Sequence, residues 1–70
     1  MYRESVKSSM IASIGFDLST STLEIEFNSG AVWQYSKVSK RVFNEMKSAS
    51  SCGKFFLSSI KDEYDEAQVG

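Results

Sequence analysis

Alternation of apolar and polar positions predicts β-strands in the first half of the chain. In "TLEIEFN", which begins at Thr22, every second side chain is apolar and would face a core, while Glu24 and Glu26 between them would stay in water. The apolar-rich run "IASIGFDLS", which begins at Ile11, is separated from it by the polar cluster "STST", so the two segments are predicted to be adjacent antiparallel strands. "AVWQYS", which begins at Ala31, is predicted to be a third strand.

The turn "NSG" sets the register between the second and third predicted strands. A three-residue loop with Gly30 in the left-handed conformation places Trp33 and Tyr35 on the apolar face. A two-residue loop of Ser29 and Gly30 slips the register by one and leaves both aromatic side chains beside the glutamates. Because that slip forfeits the burial of two large side chains, we predict the first arrangement. Its cross-strand pairs are Phe27 with Ala31, Ile25 with Trp33, Leu23 with Tyr35, and Glu24 with Gln34.

Helical spacing replaces the alternation in the second half of the chain. With Ser39 as N-cap, a first helix is predicted from about residue 39 to 48, and a second helix follows the interruption "SASSCG". The apolar stripes that define them are Val38, Val42, Phe43, Met46 and Ala49 in the first helix, and Phe56, Leu57, Ile60 and Tyr64 in the second.

These elements predict an α+β fold of order β-β-β-α-α, in which a three-stranded antiparallel meander carries both helices on one face. That face is built by Leu23, Ile25, Phe27, Trp33 and Tyr35. Within the 70 residues we expect a flexible N-terminus over residues 1–5, one domain over 6–65, and a frayed C-terminal tail over 66–70.

The chain has one cysteine, Cys52, and no histidine. An internal disulfide is therefore excluded, and no histidine can serve Cys52 as a catalytic base or as a fellow metal ligand. We predict a non-enzymatic protein with no catalytic residue, metal or cofactor. No segment has the pattern of a signal peptide or the length of a membrane span, so we expect a cytoplasmic protein that does not use a membrane.

Four runs follow one another in a fixed order: "VKSSMIASIGFD", "LEIEFNSGAVWQY", "VSKRVFNEM" and "ASSCGKFFLSSIKDEY". In this order and spacing, from Val6 to Tyr64, the sequence resembles the KTSC domain, a family named after the C-terminus of some lysyl-tRNA synthetases. The family's motifs map onto Trp33 and Tyr35 (aromatic-x-aromatic), Gly30 (strand-ending glycine), Ser8 and Ser9 (Ser-Ser), and Ser51 and Gly53 (Ser-x-Gly).

The resemblance implies a small bacterial or phage protein, here of the free-standing type because Met1 lies directly before the domain. The family has no established activity, and RNA binding is suggested only by the synthetase context. Phe16 and Trp33 stand where the family often has tyrosine, and Ser39 where it often has proline, so two phenol hydroxyls are missing from this chain.

Basic residues are concentrated in the helical half, although the net charge is −1. We hypothesise weak binding of RNA or single-stranded nucleic acid through Lys40, Arg41, Lys47 and Lys54, by phosphate contacts rather than aromatic stacking. Ordinary solvated helix faces explain the same residues more simply. The alternative function is a protein-interaction module, or one that self-associates as a homodimer.

The segment "SSCGK" is a candidate anion site. Ser50, Ser51, the ammonium of Lys54 and free backbone N–H groups could together hold a phosphate at a helix start. Capping serines and a solvent-facing lysine are the alternative interpretation. Cys52 has two readings as well: a thiol activated by Lys54 and the helix start, or a small residue in a tight turn, and we predict the second.

Overall fold

The computed structural model describes residues Met1–Gly70 and contains five strands and two helices. All five strands form one antiparallel sheet in the order β1-β2-β3-β4-β5. The elements are β1 (Arg3–Ser5), β2 (Ile11–Asp17), β3 (Thr22–Phe27), β4 (Val32–Tyr35), α1 (Lys40–Ser48), α2 (Cys52–Phe55), a π-helical segment (Phe56–Ile60) that continues α2, and β5 (Glu66–Gln68). The α+β class is confirmed, and the predicted strand number of three was wrong.

The two further strands come from the chain ends, which the sequence analysis assigned to a flexible N-terminus and a frayed tail. Arg3 of β1 lies opposite Gly15, and Gln68 of β5 lies opposite Trp33. Each of these strands has only three residues and no apolar alternation, so their sequences carry no strand signal. They form because the edges of the central meander offer unpaired backbone groups to which they hydrogen-bond.

The predicted register of β3 and β4 is confirmed. Leu23 lies opposite Tyr35, Glu24 opposite Gln34, and Ile25 opposite Trp33. The Phe27 N–H donates to the Ala31 carbonyl at 2.8 Å, which closes the three-residue loop. Gly30 has φ +97°, the positive value that this loop requires and that a residue with a Cβ rarely adopts.

Both helices pack on the predicted face of the sheet. Leu23 and Ile25 are fully buried and Tyr35 is 2% exposed. The ring of Phe56 makes edge contacts with Phe27 and Tyr35, with centroids 5.3 and 5.8 Å apart. Trp33 faces the core as predicted and packs against it, yet keeps part of its surface in solvent because it lies near the sheet edge, beside β5.

A β-bulge between Ile11 and Ser13 lets β2 bury two isoleucines at a spacing of three. In a regular strand, residues three apart lie on opposite faces. The extra residue, Ala12, restores the alternation, so that Ile11 and Ile14 are both fully buried while Ser13 turns to the opposite face.

Ser39 caps α1 as predicted, since its Oγ accepts the Val42 N–H at 3.2 Å. The second helical region is shorter than predicted and ends at Ile60. Lys61 is extended and Asp62 has φ +64°, so the chain leaves the helix before Tyr64, which was wrongly placed on it. Tyr64 still packs against the core from outside the helix. Neither helix has the length and apolar content needed to cross a lipid bilayer.

Candidate functional site

The exposed side of α1 carries three of the four predicted basic site residues. Lys40, Arg41 and Lys47 are all solvent-exposed. Lys40 and Lys47 are separated by two helical turns, about 10 Å along the axis, and therefore share one side of α1, with Arg41 next to Lys40. The α1 residue Met46 is fully buried, so the basic residues point away from the core as the pattern predicts.

Lys47 is engaged by two neighbouring groups. Its Nζ lies 3.0 Å from Glu4 Oε2 and 5.5 Å from the centroid of the Phe43 ring. The ion pair is solvated, because the Lys47 and Glu4 side chains are 41% and 45% exposed, so it contributes little to stability. Sequence reasoning missed this pair because Glu4 belongs to the N-terminal strand, which was not predicted.

The other three basic candidates have no carboxylate partner. Lys40, Arg41 and Lys54 are exposed, and none has an acidic oxygen within 4.0 Å. Lys54 projects from α2, which contacts α1. The helical side of the molecule therefore presents three cations that form no ion pair within the protein.

In the "SSCGK" segment, Ser51 is the N-cap of α2. Its Oγ accepts the Lys54 N–H at 3.2 Å and caps α2, as the capping interpretation requires. Ser50 is exposed. The candidate anion site included the Ser51 hydroxyl and free backbone N–H groups at the helix start. The Ser51 oxygen and the Lys54 N–H instead hydrogen-bond to each other.

Cys52 is buried, with 6% of its surface exposed, and its Sγ donates to the Met46 carbonyl at 3.3 Å. Burial raises the pKa of the thiol above its ordinary value of 9.0. An activated thiol requires a lowered pKa, so these surroundings favour the predicted structural role of Cys52, although the residue begins α2 instead of lying in a tight turn.

The opposite face of the sheet holds a polar network that sequence reasoning missed. Glu24, expected in water, is only 7% exposed, and its carboxylate pairs with the Arg3 guanidinium and accepts from Gln34 Nε2 at 2.8 Å. Arg3 Nε also donates to Ser13 Oγ at 3.0 Å, and Ser13 Oγ donates to Glu26 Oε1 at 2.9 Å. The expectation that both glutamates stand free in water was wrong, because β1 brings Arg3 over them.

The charge state of Glu24 follows from this network. Burial alone raises the pKa of its carboxyl, but hydrogen bonds from Gln34 and Arg3 and the positive charge of Arg3 outweigh burial. The net pKa lies below the ordinary value of 4.5, so Glu24 is ionised at neutral pH.

The surface has no pocket, and no three metal-ligating side chains come together. The basic surface of α1 and α2 is consequently the strongest candidate site: it is exposed and charged, which suits contact with an extended anionic partner.

Comparison with known proteins confirms the family resemblance. The model of the KTSC domain family matches residues 7–64. An uncharacterised protein of Stutzerimonas stutzeri is 34% identical over 64 residues, which are 91% of this chain and 90% of that protein. A lysine–tRNA ligase of a Nostoc species is 34% identical over 61 residues, which are 87% of this chain but 11% of the ligase. The crystal structure of a KTSC domain protein from Yersinia pestis superposes with a TM-score of 0.96 at 38% identity, covering 99% of this chain and 97% of that one.

Proposed function

The chain belongs to the KTSC domain family, and we propose that it is a non-enzymatic module that binds the phosphate backbone of RNA or single-stranded DNA through Lys40, Arg41, Lys47 and Lys54. One observation carries the proposal: Lys40, Arg41 and Lys54 are exposed cations without a carboxylate partner on the helical side of the molecule. Phosphate contacts of this kind supply most of the affinity of nonspecific nucleic-acid binding.

The aromatic pair of β4 is poorly exposed for this role. Tyr35 is 2% exposed, and Trp33 faces the helices and packs against the core. Stacking of a base on Tyr35 would require the helices to leave the sheet, and Trp33 exposes only part of its surface, so phosphate contacts on the helix surface are the better-supported mode.

The relatives favour RNA as the anionic partner. Lysine–tRNA ligases, which by name act on a tRNA, contain a segment similar to this chain over 11% of their length. A module appended to such an enzyme would provide an additional site of contact with the RNA. The free, buried thiol of Cys52 suits a reducing compartment, and we propose the cytoplasm as the location of the protein.

A salt titration tests this function. A labelled single-stranded RNA is titrated with the protein at about 50 to 200 mM salt, with binding followed by fluorescence anisotropy. The four proposed phosphate contacts predict a slope of about −3 for log K against log salt concentration, since each contact to a single strand contributes about −0.7. Absence of binding at the lowest salt concentration refutes the proposal.

A matched pair of variants locates the surface. Arg41→Gln should weaken binding and reduce the magnitude of the slope by about 0.7. Lys61→Gln removes the same charge from an exposed position next to Asp62 and should leave the slope unchanged. Equal effects of the two substitutions would mean that only the net charge matters, which contradicts a defined surface.

Self-association is a second candidate, favoured by the edge strand β1. Tyr2, beside this strand, is 82% exposed, and the outer edge of β1 pairs with no other strand. An unpaired edge next to an exposed aromatic residue is a common route to pairing with a second copy. Sedimentation velocity over a concentration series measures this directly, and a constant monomer mass rules it out.

A further inference from the structure

We propose that Phe43, between Lys40 and Lys47 on α1, is a stacking site for an unpaired nucleobase. The inference rests on the proposed function and narrows it, because a base contact selects single-stranded nucleic acid over a duplex and over other polyanions. It also differs from the hypothesis drawn from the sequence, in which the protein binds nucleic acid by phosphate contacts rather than aromatic stacking. The sequence pattern predicted Phe43 only as part of the apolar stripe of the first helix.

The helix places an aromatic ring between two cations. Lys40 precedes Phe43 by three residues and Lys47 follows it by four, and both spacings bring side chains together on one side of an α-helix. Phe43 is half-buried rather than enclosed in the core. An aromatic surface flanked by ammonium groups is the arrangement that single-strand-binding proteins use for consecutive bases and phosphates.

Phe16 holds the ring of Phe43 in place. The two rings stack with centroids 5.4 Å apart and an interplanar angle of 20°. Since Phe16 belongs to the sheet, it restricts the orientation of Phe43 before any ligand arrives, which lowers the entropic cost of binding.

Lys47 occupies the position that a base would take. Its Nζ lies over the Phe43 ring, 5.5 Å from the centroid, and 3.0 Å from Glu4 Oε2. The lysine side chain is flexible, so an arriving base can displace the ammonium group, which then turns to the adjacent phosphate. In the free protein Glu4 competes with that phosphate for Lys47. The contact between Glu4 and Lys47 therefore weakly inhibits nucleic-acid binding.

Removal of the ring tests the stacking contact. Anisotropy titrations compare a single-stranded RNA with an oligonucleotide of equal length that lacks bases, so that the number of phosphates is the same. We expect the unaltered protein to bind the base-containing strand about tenfold more tightly. Phe43→Leu should abolish that preference without changing the salt slope, and Phe43→Tyr, which keeps the ring, should retain it.

Release of Lys47 tests the inhibitory contact. Glu4→Gln should tighten binding of the single strand about two- to fivefold. Glu45→Gln removes the same charge from an exposed position of α1 that forms no ion pair, and should give a smaller gain. An equal gain in both variants contradicts the competition between Glu4 and phosphate.

The outcomes separate the two proposals. If the protein binds strands with and without bases equally well, the stacking site is overturned while phosphate binding stands. If it binds no oligonucleotide even at low salt, both proposals fail. Should Phe43→Leu not fold, as judged by its thermal melt, Phe43→Met takes its place, because the flexible methionine side chain fills a similar volume without an aromatic ring.

Discussion

Arg3 and Glu24 form an ion pair that spans a whole strand, because Arg3 lies on β1, Glu24 lies on β3, and β2 runs between them. Gly15 of β2 is opposite Arg3 on one side and opposite Glu24 on the other. A Cβ at Gly15 would come within 2.4 Å of the Tyr2 carbonyl oxygen and 2.9 Å of the Arg3 Cγ. The missing side chain is therefore what allows β1 and the Arg3 side chain to approach β2 so closely.

The first prediction concerns the loss of the Arg3 charge. Arg3→Met should lower the free energy of unfolding by about 1–3 kcal/mol, because it leaves the buried Glu24 carboxylate without its cation. Adding Glu24→Gln to this variant should recover part of the loss, since the unpaired charge is then gone. Urea unfolding at neutral pH measures both effects.

Lys7→Met is the control for this prediction. Lys7 is exposed and forms no ion pair, so its replacement should change the free energy of unfolding by less than about 0.5 kcal/mol. A loss as large as that of Arg3→Met would show that the Arg3–Glu24 pair has no special role.

The second prediction concerns acid. The pKa of Glu24 is lower in the folded protein than the ordinary 4.5, so the unfolded chain takes up this proton first as the pH falls. The contribution of ionised Glu24 is fully present above about pH 4.5 and is lost as the pH falls through the lower, folded-state pKa. The stability difference between the unaltered protein and Glu24→Gln should therefore shrink on acidification. Urea unfolding at several pH values would contradict this if the difference stayed constant.

The third prediction compares two glycines. Gly15→Ala should lower the free energy of unfolding by about 1–3 kcal/mol, since the methyl group meets the backbone of β1. Gly53→Ala should be neutral or stabilising by up to about 1 kcal/mol, because its Cβ would make ordinary contacts at 3.5 Å and alanine favours the helix. Thermal melts rank the variants, and amide exchange should show lost protection of β1 in Gly15→Ala alone.

The fourth prediction ranks the two aromatic residues of β4. Tyr35→Ala should cost about 3–5 kcal/mol, the usual range for a large side chain lost from a core. Trp33→Ala should cost less, about 1–3 kcal/mol, because part of its surface is already in water. Chemical unfolding of both variants tests this order, and a larger loss for Trp33→Ala would reverse it.

Local rules in the sequence determined the central part of the fold. The period of two in β3 chose the buried face, the glycine of "NSG" fixed the pairing of Ile25 with Trp33, and Ser39 marked the start of α1. Each of these signals acts over a few residues and depends on backbone geometry that the side chains themselves impose. The exposed positions of Lys40, Arg41 and Lys47 followed from the helical periodicity of α1.

Only the tertiary structure decided what covers the other face of the sheet and which of the helix cations are paired. The alternation in β3 places Glu24 away from the helices, but the partner that buries it is Arg3, on a strand whose three residues have no periodic pattern. Lys47 is likewise joined to Glu4, which is far away in sequence and close only after β1 has paired with β2. Because an edge strand is held by backbone hydrogen bonds, which every residue type except proline can donate and accept, its position depends on the sheet it completes rather than on its own sequence.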